Sequence, residues 1–112
     1  MDRMSHSQYI DSVRVEAARV AANALSGQVD LLVACIELSC LLARAELAPD
    51  DEDARVFMLI ESEIDALPIG DVRRHWDAAA LEQMQPDVDS ATKWAAQIAT
   101  PALKSVRDRF EP

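Results

Sequence analysis

The sequence predicts an all-α fold, a compact bundle of about five helices around one central apolar helix at residues 29–47. Apolar residues make up 50% of the chain with Ala and Leu abundant, Gly occurs twice, and aromatic residues account for 4%. This composition favours helix over sheet, because Ala and Leu lose little conformational freedom in a helix. Between Leu31 and Ala43 only Glu37 and Ser39 are clearly polar. A helix that is apolar almost all round has to be covered on several sides.

A chain of 112 residues fits one domain, so residues 1–112 are treated as a single helical domain. Cys35 and Cys40 lie five residues apart on one helix and point to different sides, so they cannot form a disulfide with each other. Free thiols are typical of a reducing cytosol. The segment from Met1 to Ser5 is polar, unlike a secretory signal. The apolar run at 31–43 is too short to span a bilayer. We expect a cytoplasmic protein.

The first helix is predicted from about Ser5 to Ser26. Ser5 followed by Gln8 matches a capping box, and Gly27 is suited to the left-handed conformation that ends many helices. The central helix follows and ends near Leu47, before a proline. The inward stripe of the first helix consists of Tyr9, Val13, Ala17, Val20 and Ala24.

Residues 54–67 permit two interpretations. The apolar run 54–60 could form a buried strand, but Phe57, Ile60 and Ile64 also continue a helical stripe. No second strand exists to pair with it. Helix is therefore favoured, with its end before Pro68, because the residue preceding a proline avoids the helical region. The acidic residues at 50–53 suit the start of this helix through capping and the helix dipole.

The C-terminal third is predicted to contain one or two short helices and one long helix. Asp71 is the expected N-cap after a tight turn, with Val72 and Trp76 pointing inward. Asp77 is a candidate second cap, so residues 71–85 could form two short helices at an angle. Pro86 is expected to start the last helix, with Asp87 or Asp89 near its cap. Pro101 predicts a kink near residues 97–101. The inward stripe consists of Val88, Ala91, Trp94, Ile98, Ala102, Val106 and Phe110.

The net charge of −9 is concentrated in one segment. Residues 46–71 contain nine acidic residues against Arg55 alone, and the rest of the chain is nearly balanced. Such a surface repels phosphate backbones and anionic lipids, so nucleic-acid and membrane binding are disfavoured. Three interpretations remain open: a solvated face that keeps the protein soluble, a docking surface for a basic partner, and a divalent-cation site. The last is weakest, because the acidic residues lack the spacing of a calcium loop.

Catalytic motifs are missing from the sequence. No E-x-x-H pair, nucleophile elbow or phosphate-binding glycine loop occurs. Asp71 and His75 are four residues apart and would share one helical face, which could orient an imidazole; a helix cap beside a surface histidine is the simpler interpretation. Neither cysteine lies near a basic helix start, as a nucleophile would require. We therefore expect no enzyme activity, no cofactor and no metal.

The segment from Glu61 to Trp76 combines acidic residues, a proline turn, two arginines and a tryptophan. Arg73 or Arg74 could fold back onto Glu63 or Asp65 and hold two helices together. Alternatively the segment is an exposed patch, since Trp and Arg are frequent interface anchors.

This segment resembles a pattern found in small bacterial proteins that form a family of unknown function. The resemblance covers about residues 53–110 and implies a bacterial cytosolic protein, without transferring an activity. In size and acidity the chain is also similar to immunity proteins that neutralise bacterial toxins, although no motif is shared. The residues that carry the family resemblance are Ser62, Glu63, Asp65, Leu67, Pro68, Gly70, Arg73, Trp76 and Trp94.

The sequence thus predicts a non-catalytic acidic module that binds a basic protein, with an immunity-type inhibitor of a basic bacterial toxin as the specific form. The alternative is a self-associating structural or regulatory protein, in which excess apolar surface around the central helix forms a homodimer interface. The predicted partner-binding residues are Asp50, Asp51, Glu52, Asp53, Glu61, Asp65, Arg73, Arg74 and Trp76.

Overall fold

The computed structural model describes residues 4–112, which contain four α-helices, one 3-10 helix and no strand. The helices are α1 (His6–Leu25), α2 (Leu31–Ala43), α3 (Glu52–Glu63), the 3-10 helix (Gly70–His75) and α4 (Ala78–Phe110). The predicted all-α bundle is confirmed, and so is the helical interpretation of residues 54–60. Residues 1–3, part of the polar start that argued against a secretory signal, lie outside the described residues.

Local signals set the bounds of α1. The Ser5 hydroxyl accepts a hydrogen bond from the Gln8 backbone N–H at 3.1 Å, and the Gln8 side chain accepts one from the Ser5 N–H at 2.9 Å. These two bonds form the predicted capping box. At the other end Gly27 has φ +78°, a conformation that costs glycine little. Tyr9, predicted to point inward, is instead 38% exposed.

Helix α2 is the centre of the bundle, as predicted. It contacts α1, α3 and α4, and its apolar side chains join the same buried cluster as Phe57 and Ile60 of α3. It ends at Ala43, a few residues earlier than expected. Arg14 of α1 secures the turn that follows, because its Nε donates a hydrogen bond to the Ala45 carbonyl at 3.0 Å. The buried residues of α2 are Leu32, Ala34, Cys35, Leu38, Ser39, Leu41 and Leu42.

The turn between α3 and α4 differs from the prediction. Helix α3 ends at Glu63 rather than near residue 67. Asp71 makes no capping hydrogen bond, because the segment Gly70–His75 is a 3-10 helix that begins one residue earlier. Val72 is 49% exposed rather than inward, and Trp76 is half-buried. The apolar residue that anchors this turn in the interior is Pro68, which is fully buried.

Helix α4 is a single helix of 33 residues, and the prediction that Pro86 begins a separate helix is wrong. Asp77 caps the start, since its carboxylate accepts a hydrogen bond from the Ala80 N–H at 2.7 Å. A proline inside a helix removes one backbone hydrogen bond, and its ring crowds the carbonyl four residues earlier. Pro86 is exposed, so water can reach the carbonyl that loses its partner. The helix also continues through Pro101.

The two halves of α4 contribute differently to the bundle. Its buried residues begin at Ala95, and the first side chain that packs against the core is Val88. Residues 78–87 contribute no buried side chain. A 33-residue helix is about 50 Å long, which matches the longest dimension of the molecule, 49 Å. The N-terminal ten residues of α4 therefore form an arm with little core packing.

Candidate functional site

Asp51 and Asp53 are bound by an arginine of the same chain. The Arg109 guanidinium donates hydrogen bonds of 2.7 Å to each carboxylate, and the Ser105 hydroxyl donates one of 2.6 Å to Asp53. The two aspartate side chains are only 10% and 13% exposed. We call Asp51, Asp53, Ser105 and Arg109 the Arg109 cluster. It joins the start of α3 to the end of α4.

The electrostatics of the Arg109 cluster agree with this geometry. The hydrogen bond from Arg109 is the main reason why the pKa of Asp51 lies below its ordinary value. The same bond raises the pKa of Arg109. Asp51 also caps α3, since its carboxylate accepts a hydrogen bond from the Ala54 N–H at 3.1 Å. These carboxylates therefore serve folding, and of the predicted partner-binding residues at 50–53 only Asp50 and Glu52 are exposed.

Arg73 and Arg74 do not fold back onto the acidic residues as predicted. The Arg73 guanidinium donates a hydrogen bond of 3.3 Å to the Pro68 carbonyl, and no ion pair within residues 4–112 joins either arginine to Glu63 or Asp65. The 3-10 helix places the Arg73 guanidinium beside the Pro68 carbonyl. Arg73 therefore stabilises the turn between α3 and α4 through this hydrogen bond and not through an ion pair.

Asp71 and His75 do not form an orienting pair. Four residues share a face in an α-helix, but in a 3-10 helix with three residues per turn they lie about 120° apart. Both side chains are exposed, and no hydrogen bond in the described part of the chain joins them. Within residues 4–112, no three His, Cys, Asp or Glu side chains are grouped to hold a metal ion.

Glu61 and Asp65 line a groove between α2 and α3. Its volume is about 520 Å³. Neither carboxylate takes part in an ion pair with any residue of 4–112. We call this site the α2–α3 groove, and it is lined by Ser39, Cys40, Ala43, Met58, Glu61, Ser62 and Asp65.

The α2–α3 groove differs in charge from three other grooves on the surface. Its wall contains two acidic residues and no basic one. Three further grooves of about 290 to 390 Å³ each include at least one arginine in the wall. These arginines are Arg19 and Arg107 in one groove, Arg73 in the second and Arg44 in the third. The α2–α3 groove is thus a concave surface whose negative charge is not neutralised by any basic residue in its wall.

The nine predicted residues therefore lie in three places. The loop acids lie at the start of α3, while Arg73, Arg74 and Trp76 follow its end. Helix α3 is about 18 Å long, so these groups cannot form one patch. Glu61 and Asp65 line the α2–α3 groove, which contains no member of either group.

Sequence reasoning missed the apolar side of the groove. Met58, which lines the groove, is 60% exposed. A signal for Met58 was present, because the inward stripe of α3 runs through Phe57 and Ile60 and leaves Met58 off that face. Ser39 and Cys40 carried no such signal, since an almost wholly apolar helix does not reveal which of its sides remains uncovered.

Comparisons with known proteins do not assign the chain to a family. No protein-family model matches the chain, and no significant similarity to a curated protein or a solved structure is found. The resemblance noted around Ser62 to Trp76 therefore stays a prediction. In the described part of the chain, none of the helices has both the length and the apolar character needed to cross a membrane.

Proposed function

We propose that this chain is a small, non-catalytic acidic protein that binds a basic protein partner. The observation that supports this proposal most is the α2–α3 groove, whose wall carries Glu61 and Asp65 and no basic residue. Complementary charge speeds encounter and selects among partners more than it adds raw affinity. A groove of this charge favours a partner with a basic surface.

The more specific proposal is an immunity-type inhibitor of a basic bacterial toxin, acting in the cytoplasm. An inhibitor of this kind acts by covering a surface, and a chain of 112 residues with net charge −9 has the size and the charge for that task. Expression of a candidate toxin with and without this chain tests the proposal. Growth is expected to recover only when the two proteins form a complex.

The binding proposal is tested by affinity capture from a lysate of the source cells across a salt series. We expect a basic protein that is retained at about 50 mM salt and released at about 500 mM, because salt screens exposed charges. The informative variant is Glu61→Gln with Asp65→Asn. Its matched control, Glu82→Gln with Asp87→Asn, removes the same charge from the exposed arm of α4.

Two outcomes would contradict the proposal. One is that nothing basic is retained at low salt by the wild-type chain. The other is retention that is equally strong across the whole salt series, which would point to an apolar interface. Replacement of residues 50–53 is a poor test, because Asp51 and Asp53 stabilise the fold through Arg109.

Self-association is the alternative function, and the arm of α4 is the surface that favours it. Most apolar side chains of α2 are buried against α1, α3 and α4, and the exposed ones, Cys40 and Ala43, line the α2–α3 groove. Leu81 and Met84 on the arm are half-buried and do not pack against the core. Against a dimer through this surface stand four acidic residues and no basic one between residues 77 and 92, which would repel their copies. Sedimentation at several concentrations separates the alternatives, since a dimer requires a concentration-dependent mass.

A further inference from the structure

We infer that the α2–α3 groove holds a cationic amphipathic helix of the partner, with an arginine at the carboxylates and an apolar side chain against Met58. This inference rests on the proposed function and names the chemistry that its binding site recognises. A groove of about 520 Å³ accommodates a few side chains rather than a folded surface. Laying one helix face into such a groove is a common mode of peptide recognition.

The carboxylates define the cationic part of the occupant. Glu61 lies in the last turn of α3 and Asp65 lies two residues beyond its end, and both side chains line the same groove. Two carboxylates that share one groove repel each other, and a bound cation offsets that repulsion. Arginine suits the pair better than lysine, because its planar guanidinium presents several N–H donors in a fork that can reach two carboxylates.

The apolar part of the occupant faces Met58, Cys40 and Ala43, which line the same groove. Met58 is 60% exposed, and a flexible, polarisable methionine adapts its shape to a partner side chain. Burial of this side chain against an apolar residue of the partner adds hydrophobic stabilisation to the charge contact.

Ser39 is the independent sign that the groove receives a polar group. It is the one buried polar residue of the described chain, with 7% exposure. No side-chain hydrogen bond within residues 4–112 involves its hydroxyl. Every fully enclosed side-chain N or O atom there has a partner. The Ser39 hydroxyl must therefore be reached from the groove, where it can bond to the occupant.

Cys40 supplies a direct test of occupancy. It is exposed and lines the groove, whereas Cys35 is fully buried and its burial raises the pKa of that thiol to about 12. In the native protein a thiol reagent such as Ellman's reagent should thus report Cys40 alone. The probe is a synthetic amphipathic helical peptide of leucine and arginine, and its control is the same peptide with glutamate in place of arginine.

We expect the arginine peptide to slow modification of Cys40 about tenfold at a concentration about ten times its Kd, as mass action requires for a covered thiol. The glutamate peptide should leave the rate unchanged. Glu61→Gln with Asp65→Asn should abolish the protection, while Glu82→Gln with Asp87→Asn should preserve it. Protection should weaken when lysine replaces arginine in the peptide.

Three results would overturn the inference. They are binding of the arginine peptide without protection of Cys40, equal protection in the Glu61→Gln with Asp65→Asn protein, and equal protection by free arginine amide, which would make the site a simple cation site. A captured basic partner that binds this double variant as well as wild type would leave the proposed function intact and remove this docking site. If the peptide protects Cys40 but no basic partner is captured, the docking site is supported and the proposed function is not.

Discussion

Two pairs of acidic residues on the same segment have opposite roles in this molecule. Asp51 and Asp53, at the start of α3, are largely buried and share the guanidinium of Arg109. Glu61 and Asp65, at its other end, line an open groove and form no ion pair with a described residue. The contrast shows that the net charge of −8 on residues 46–71 is not presented on one surface. Part of this charge holds the bundle together, and part remains available to a partner.

The largest effect is expected from Arg109→Ala, which removes the cation from the Arg109 cluster. Two poorly exposed carboxylates then lose charged hydrogen bonds, and the free energy of unfolding should fall by about 1 to 2 kcal/mol, since Arg109 is partly exposed and solvent screens the pair. Urea denaturation followed by circular dichroism measures the change. The control is Arg107→Ala, whose partner Asp108 is mostly exposed, and its decrease should be smaller. Equal midpoints for Arg109→Ala and wild type would show that the cluster does not stabilise the fold.

The pH dependence of stability should carry the signature of the same cluster. The pKa of Asp51 is lowered in the folded protein from 3.8, chiefly by the Arg109 hydrogen bond. A lowered pKa contributes stability that is present above pH 3.8 and is lost as the pH falls through the lowered value.

As the pH falls below about 4, the free energy of unfolding of the wild type should therefore decrease more steeply than that of Arg109→Ala. Glu16, whose pKa Arg19 lowers, is present in both proteins and cancels in the comparison. Parallel curves in urea titrations at each pH would contradict the assignment.

The smallest effect on stability is expected at the groove. Glu61→Gln with Asp65→Asn replaces two side chains that form no ion pair with a described residue, so the free energy of unfolding should change by less than about 0.5 kcal/mol. The same urea experiment measures it. A decrease of more than about 1 kcal/mol, the size of a lost hydrogen bond, would mean that these carboxylates have a structural role, and the contrast between the two acidic pairs would disappear.

Much of the fold could be predicted from local patterns. Ser5 with Gln8, the glycine at position 27 and the aspartates at 51 and 77 act on backbone groups within one turn, and each lies at a helix end in the structure. Prolines were the source of the main error. Pro86 is compatible with both a helix start and a helix interior, and the choice depends on Asp77 already having started α4 upstream.

The functional site was harder to predict, because charge density does not say which charges are neutralised. Closeness in sequence favours Arg73 and Arg74 as the partners of the acidic segment. The arginine that binds it is Arg109, which lies 58 residues from Asp51 and 56 from Asp53. No spacing rule connects residues that far apart.

The amino-acid pattern alone is sufficient for the all-α class, for the helix caps, for the central position of the apolar helix and for the acidic character of the chain, because caps, periodicity and composition act over one or two turns. The packing of α3 between α2 and α4 determines the rest. It turns Asp51 and Asp53 toward Arg109, and it leaves Glu61 and Asp65 beside Met58 and Ser39 in an open groove. Such pairings depend on contacts between distant parts of the chain, which exist only once the helices have packed.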